Sequence, residues 1–184
     1  LFRLDAAIID VGASSVEDFL AEMVKYSESH EEFDYFVIPI TPGGKEQKES
    51  LKTIQALKGV GVDSSKIRVL FNRVDSSVED EFPAVFGFAK TTNACVVRPD
   101  AAIFENDVFD LLSAKRTTIA AGLEDETDYR EAIRKPPKDT DEATISHWCD
   151  MQELKVRARG VHIPLPTAFA ALFSEVPNVA RAKK

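Results

Sequence analysis

The sequence predicts an α/β protein: a three-layer arrangement in which a mostly parallel sheet carries helices on both faces, followed by a helical C-terminal extension. Three observations predict it. Short apolar runs with β-branched residues alternate with helix-period segments through the first hundred residues, the pattern of successive βαβ units. Hydrophobic residues make up 44% of the 184, enough for a sizeable core. Past Asp100 the strand-like runs stop and only helical periodicity continues.

Ala6–Val11 (AAIIDV) reads as the first strand. Ser14–Ser27 reads as a helix, because Val16, Phe19, Leu20, Met23 and Val24 fall on one face and Ser14 with Glu17 makes an S-x-x-E capping pattern. Asp34–Ile40 (DYFVIPI) is the second strand. Lys45–Lys58 is the next helix, with Leu51, Ile54 and Leu57 inward, and Gly59 and Gly61 end it. Ile67–Phe71 (IRVLF) is the third strand, closed by Asn72-Arg73. A helix over Glu79–Lys90 buries Phe82, Val85, Phe86 and Ala89, and Ala94–Val97 (ACVV) is a short fourth strand. Further helices are predicted over Glu105–Ser113, Thr127–Arg134, Thr140–Arg159 and Thr167–Ser174. The prolines of Lys135–Asp139 (KPPKD) form a linker. The predicted organisation is therefore an α/β core over residues 1–134 and a helical extension over 135–184.

The net charge is −8. Phosphate contacts need clustered Lys and Arg, so little direct nucleic-acid binding is expected and any action on DNA runs through a partner. Two widely spaced cysteines, Cys95 and Cys149, make no disulfide framework and fit a reducing cytoplasm, the expected location. No apolar run reaches the ~18 residues of a membrane helix, and no membrane association is expected. His30, His147 and His162 show no metal-ligand spacing.

Ligands of open parallel sheets bind at the carboxyl ends of the strands. That rule gathers Asp10, Pro39–Pro42, Asn72-Arg73 and Arg98–Asp100 on one rim. A carboxylate at the end of a buried strand, such as Asp10, holds Mg²⁺ through water or orients an attacking water; it can equally start a turn or cap the next helix. Gly12 lets backbone approach a ligand closely. Thr41–Lys45 (TPGGK) lacks the G-x-x-x-x-G-K-[ST] spacing and has Glu46 where a hydroxyl is needed, so it reads as a turn into a helix. The Asn72 amide offers both donor and acceptor to the edge of a base, or serves as a turn residue. Arg98, Pro99 and Asp100 either flank the same ring or form a surface loop.

Three strings carry a family resemblance: IIDVGASSVEDFLAEM, SHEEFDYFVIPITPGGKEQKESLKTIQAL and KIRVLFNRVD. They resemble the ParA/MinD-like (deviant Walker) P-loop ATPases, and among these the StbB (TraL-like) plasmid stabilisation proteins of conjugative plasmids. The similarity runs from about Asp5 to about Arg134 and includes DETDYREAIR near its end. It implies a P-loop NTPase-like fold, binding of ATP with Mg²⁺, nucleotide-dependent homodimerisation, and a role in plasmid partition or conjugative transfer. It also implies a plasmid-encoded DNA-binding partner. By position, Asp10 matches the Walker-B-like acid, the catalytic and metal-holding residue. Asn72 matches the adenine-side residue, and Arg98–Asp100 matches the segment lining the base. The family's phosphate loop, with its lysine and Mg²⁺-binding hydroxyl, would lie before Leu1. The expectation is thus an ATP-dependent switch in the intact protein and a partial, inactive domain here. The alternative is a non-catalytic partner-docking protein, a pseudo-ATPase, on the same scaffold. A receiver-like domain needs acidic and lysine strand ends, which Pro39–Pro42 and Asn72 do not supply.

Overall fold

The computed structural model describes residues 6–26 and 28–175. Its sheet has three strands, β1 (Phe36–Ile40), β2 (Ile67–Val74) and β3 (Ala102–Phe104), in the order β1-β2-β3 and all parallel. Parallel neighbours need a crossover, and α2 (Gly44–Val60) supplies it between β1 and β2. Its C-terminus turns at Gly61, whose φ of 109° is open to glycine and strained for other residues. The Gly61 N–H closes on the carbonyls of Leu57 and Lys58.

Register sets which residues enter the core. Phe36 lies opposite Ile67 and Ile40 opposite Phe71. Side chains alternate along a strand, so these residues and Val69 share one face. That face packs against Met23 of α1 (Val16–Lys25), Ile54 and Leu57 of α2, and Val85 of α4 (Pro83–Thr92). The Phe71 ring meets Phe82 at 4.7 Å and stacks on Phe86 at 5.3 Å. Among the described residues the first strand is an edge: Phe36 N–H donates to the Lys66 carbonyl, so the missing N–H of Pro39 falls on the side away from β2, where proline is tolerated.

A second apolar cluster joins Val108 and Leu112 of α5 (Val108–Lys115) to Leu154, Ala158 and Val161 of α8 (Glu142–His162). Ile119 and Leu123 of α6 (Ile119–Glu124) pack against it. Its residues lie on both sides of the Lys135–Asp139 linker. Two further helices complete this part, α7 (Tyr129–Arg134) against α8, and α9 (Leu165–Phe173) over β2 and β3. No helix among the described residues is long and apolar enough to cross a membrane.

Several predicted elements are corrected. Ala6–Val11 forms no strand; Ile8 is 99% exposed, and no strand among the described residues lies alongside to take up its backbone hydrogen bonds. The Ser14–Glu17 capping pattern does not cap. Ala13–Ser15 winds into a 3-10 turn with Ser15 N–H on the Gly12 carbonyl, and α1 begins only at Val16. The helix predicted over Glu79–Lys90 is two, α3 (Val78–Glu81) and α4, because Pro83 has no N–H to continue the first. The third strand does not close at Asn72-Arg73 but runs to Val74. Ala94–Val97 contributes only a single bridge, Val96 to Arg68, and the strand beside β2 is β3.

Candidate functional site

The carboxyl rim of the sheet is built by three strand-to-helix turns. β1 passes through Thr41–Gly43 into α2, β2 through Asp75–Ser77 into α3, and β3 through Glu105–Asp107 into α5. Gln47 ties two of these turns together. It is one of the few buried polar side chains, and its Nε2 donates to the carbonyl of Pro42 at 2.8 Å and to that of Glu81 at 2.9 Å. Both amide hydrogens are thereby satisfied by backbone carbonyls, as buried polar groups require.

The Glu81 carboxylate gathers the second turn. It accepts the backbone N–H of Ser76 at 2.6 Å and those of Asp75 and Ser77 at 3.1 Å, with the Ser76 hydroxyl at 3.2 Å. The Ser76 N–H is the chief cause holding this carboxyl below the usual carboxylate range. The Ser77 hydroxyl caps α3 by accepting from Asp80 N–H. At the first turn the Glu46 carboxylate folds over Gly43, at the positive end of α2. Arg73, in a left-handed conformation at φ 58°, marks a bulge against β3 and pairs with Glu105 at 3.0 Å; both side chains are exposed, and the pair adds little stability.

The sequence-derived candidates distribute unevenly around this rim. Asn72 is half-buried in β2, opposite Ile103 of β3, two residues short of the strand end. Arg98, Pro99 and Asp100 form a turn that enters β3 at its amino end, not a strand terminus at the rim; the Arg98 carbonyl accepts Ala101 N–H at 3.0 Å. The Ala101 carbonyl accepts Phe71 N–H at 2.9 Å, and there the chain rejoins β2 after the turn. The Arg98 Nε is buried with no hydrogen-bond partner among the described residues. Asp10 is exposed in the segment before α1, and no hydrogen bond or ion pair joins it to Asn72 or Asp100 among the described residues. Gly12 has open space where a Cβ would sit. Among the described residues no hydrogen bond or ion pair joins Asn72, the Arg98–Asp100 turn and Asp10 to one another: Asn72 lies near the carboxyl end of β2, the turn at the amino end of β3, and Asp10 before α1.

Gln47 and Glu81 were missed by sequence reasoning. Gln47 lies on the inward stripe of α2, four residues before Leu51 and seven before Ile54, and a polar residue on such a stripe is the signal for it. Glu81 stands four residues after a capping Ser, beyond the usual box spacing.

Cys95 is buried, and burial pushes its thiol up to about 11, so it is an inert core residue; Cys149 is exposed. Among the described residues no three His, Cys, Asp or Glu side chains converge where they could hold a metal ion. Asp10 alone offers one carboxylate, too few for a metal centre unless phosphate oxygens complete it. A cavity of about 80 Å³ lies between β3 and the α8–α9 junction, and an open groove runs between α7 and α8; neither is lined by Asp10, Asn72 or Asp100. No protein-family model, curated protein or solved structure matches the chain.

Proposed function

We propose that this chain is part of a ParA-like nucleotide-binding protein of plasmid stability or conjugative transfer, an ATP-dependent switch when complete. The observation that carries it is the set of strings IIDVGASSVEDFLAEM, FDYFVIPITPGG and KIRVLFNRVD, the last two of which fall on parallel neighbouring strands and their rim turns. In this reading Asn72 and the Arg98–Asp100 turn hold the base side of ATP. Asp10 holds Mg²⁺ through water, and Gly12 leaves room for the ligand beside it. The bound ion would supply charge neutralisation at the phosphates; the residues of this chain supply position and a water-ordering carboxylate. A plasmid-encoded DNA-binding protein is the expected partner, in keeping with the acidic charge, and nucleotide-dependent homodimerisation and a cytoplasmic location belong to the same proposal.

A second reading, a partner-docking pseudo-ATPase, is favoured by one observation. One N–H-rich turn of the rim already holds a carboxylate of this chain, Glu81 in Asp75–Ser77, and at another turn the Glu46 carboxylate lies over Gly43. Calorimetric titration of the full reading-frame product with MgATP separates the two. Micromolar binding that is lost in Asp10→Ala supports the switch. A wild-type protein that folds but binds no MgATP sinks it in favour of the docking protein.

A further inference from the structure

Helix α9 covers the side of the sheet opposite α2 and α4, and three features describe how it is held. The first is its hinge. Ile163 and Pro164 join α8 to α9, and neither Pro164 nor Pro166 has an N–H to extend the α8 ladder across the junction. A fresh ladder starts with Ala168 N–H on the Pro164 carbonyl, while Ile163 stays 77% exposed. The second is the cavity of about 80 Å³ directly beneath that hinge, lined by Ile103, Phe104, Val161, Pro164 and Leu165, which leaves the junction underpacked.

The third is the latch. Arg68 of β2 is 4% exposed and lies on the face opposite Ile67 and Val69. Its Nη1 donates to the carbonyl of Ser174, just past the end of α9, at 2.8 Å. Its guanidinium lies 5.1 Å from the Tyr35 ring, and that ring meets Phe173 of α9 at 5.0 Å. The negative end of a helix and a ring face both favour a cation. Yet the Arg68 Nε is buried with no partner among the described residues, so the closed state leaves part of a buried charge uncompensated. Lifting α9 would return that donor to water.

We propose that α9 is a hinged cap: it lifts about Ile163–Pro164, is latched by Arg68 and Phe173, and when raised uncovers the sheet face bearing Tyr35 and Arg68. The device is independent of nucleotide binding and stands or falls without it. Hydrogen exchange of the whole chain, read by mass spectrometry, tests it. A nine-residue helix that has lost its packing is marginal and frays once raised, so amides of 167–174 are expected to exchange roughly tenfold faster than those of β2, and Arg68→Met to speed them by about another tenfold while α8, α2 and β2 keep their rates. Phe173→Ala, which leaves the buried charge in place, gives the same pattern if Arg68→Met perturbs the sheet. Exchange of 167–174 in step with β2 in the wild type overturns the cap. So do variants that accelerate α8 and β2 as much as α9.

Discussion

Replacing Gln47 by leucine tests whether the two rim turns are held by one side chain. The side chain is 6% exposed and makes two neutral hydrogen bonds, to the carbonyls of Pro42 and Glu81. Each such bond contributes about 1 kcal/mol net, so leucine, which keeps the volume but donates nothing, costs about 2 kcal/mol, and about 3 if the two carbonyls stay dry. Gln47→Glu carries the test further. At neutral pH its carboxylate would face two carbonyl oxygens with no hydrogen to offer, so it is more damaging than leucine. Burial and the carbonyls favour the protonated form, which restores one donor, so the folded-state pKa of this glutamate is raised above its unfolded value. The proton's contribution is then fully present below the unfolded value of about 4.3 and lost as pH rises through the raised folded value. Urea unfolding followed by far-UV circular dichroism reads both effects: Gln47→Glu recovers toward wild type as the pH falls from about 7 to about 5. Gln47→Leu within about 0.5 kcal/mol of wild type, with a Gln47→Glu deficit indifferent to pH, would refute the tie between the turns.

Two other perturbations probe the helical part. Asp125 accepts the Tyr129 hydroxyl at 2.6 Å and the Thr127 N–H at 2.8 Å, with Lys155 at 3.8 Å, and these donors, the Tyr129 hydroxyl foremost, hold its carboxyl down to about 2. A depressed pKa contributes stability above the unfolded value and loses it as pH falls from about 4 toward 2. Asp125→Asn should therefore cost about 1–2 kcal/mol at neutral pH and flatten the acid limb of the urea midpoint plotted against pH; an unchanged acid limb counts against the cluster. A Cβ at Gly122 would lie 2.4 Å from Cδ2 of Leu154, which is fully buried, so the α6–α8 packing would have to shift. Gly122→Ala gains about 1 kcal/mol of helix propensity and loses about 1–3 to overpacking, so a net loss is expected. Calorimetric melting of the double variant with Leu154→Ala should show less than the summed loss of the singles, by about 1 kcal/mol. A stabilising Gly122→Ala would mean that α6 and α8 are not in contact.

The parallel α/β architecture was legible because burial imposes two different periods. Ile67, Val69 and Phe71 alternate as a strand must, and Leu51, Ile54 and Leu57 recur as a helix must, so residue spacing alone separated β2 from α2. What failed was pairing. Ala6–Val11 has strand composition, but a strand exists only beside another, and composition says nothing of the neighbour. Ala94–Val97 failed for a related reason. Val96 bridges to Arg68, then the Arg98–Ala101 turn lifts the chain away before it rejoins β2 at Ala102, and nothing in ACVVRPDAAIF marks which of its two apolar runs carries the ladder. The break at Phe82-Pro83 was written in the sequence, since proline cannot donate to the preceding turn.

The rim was legible as a place but not as a mechanism. Carboxyl strand ends can be located from strands alone, and Asn72 is found close to one. The groups that fix the shape of that rim are long-range: Gln47 reaches Glu81 across 34 residues, and no local pattern records such a bond. Their chemistry bears on function. A turn such as Asp75–Ser77 presents converging N–H groups, the arrangement that attracts an anion, and here the Glu81 carboxylate takes that position. An incoming phosphate at this turn would have to displace a carboxylate that already accepts three backbone N–H groups. Under the proposed switch reading the phosphates are therefore held away from Asp75–Ser77, whose N–H groups are already taken.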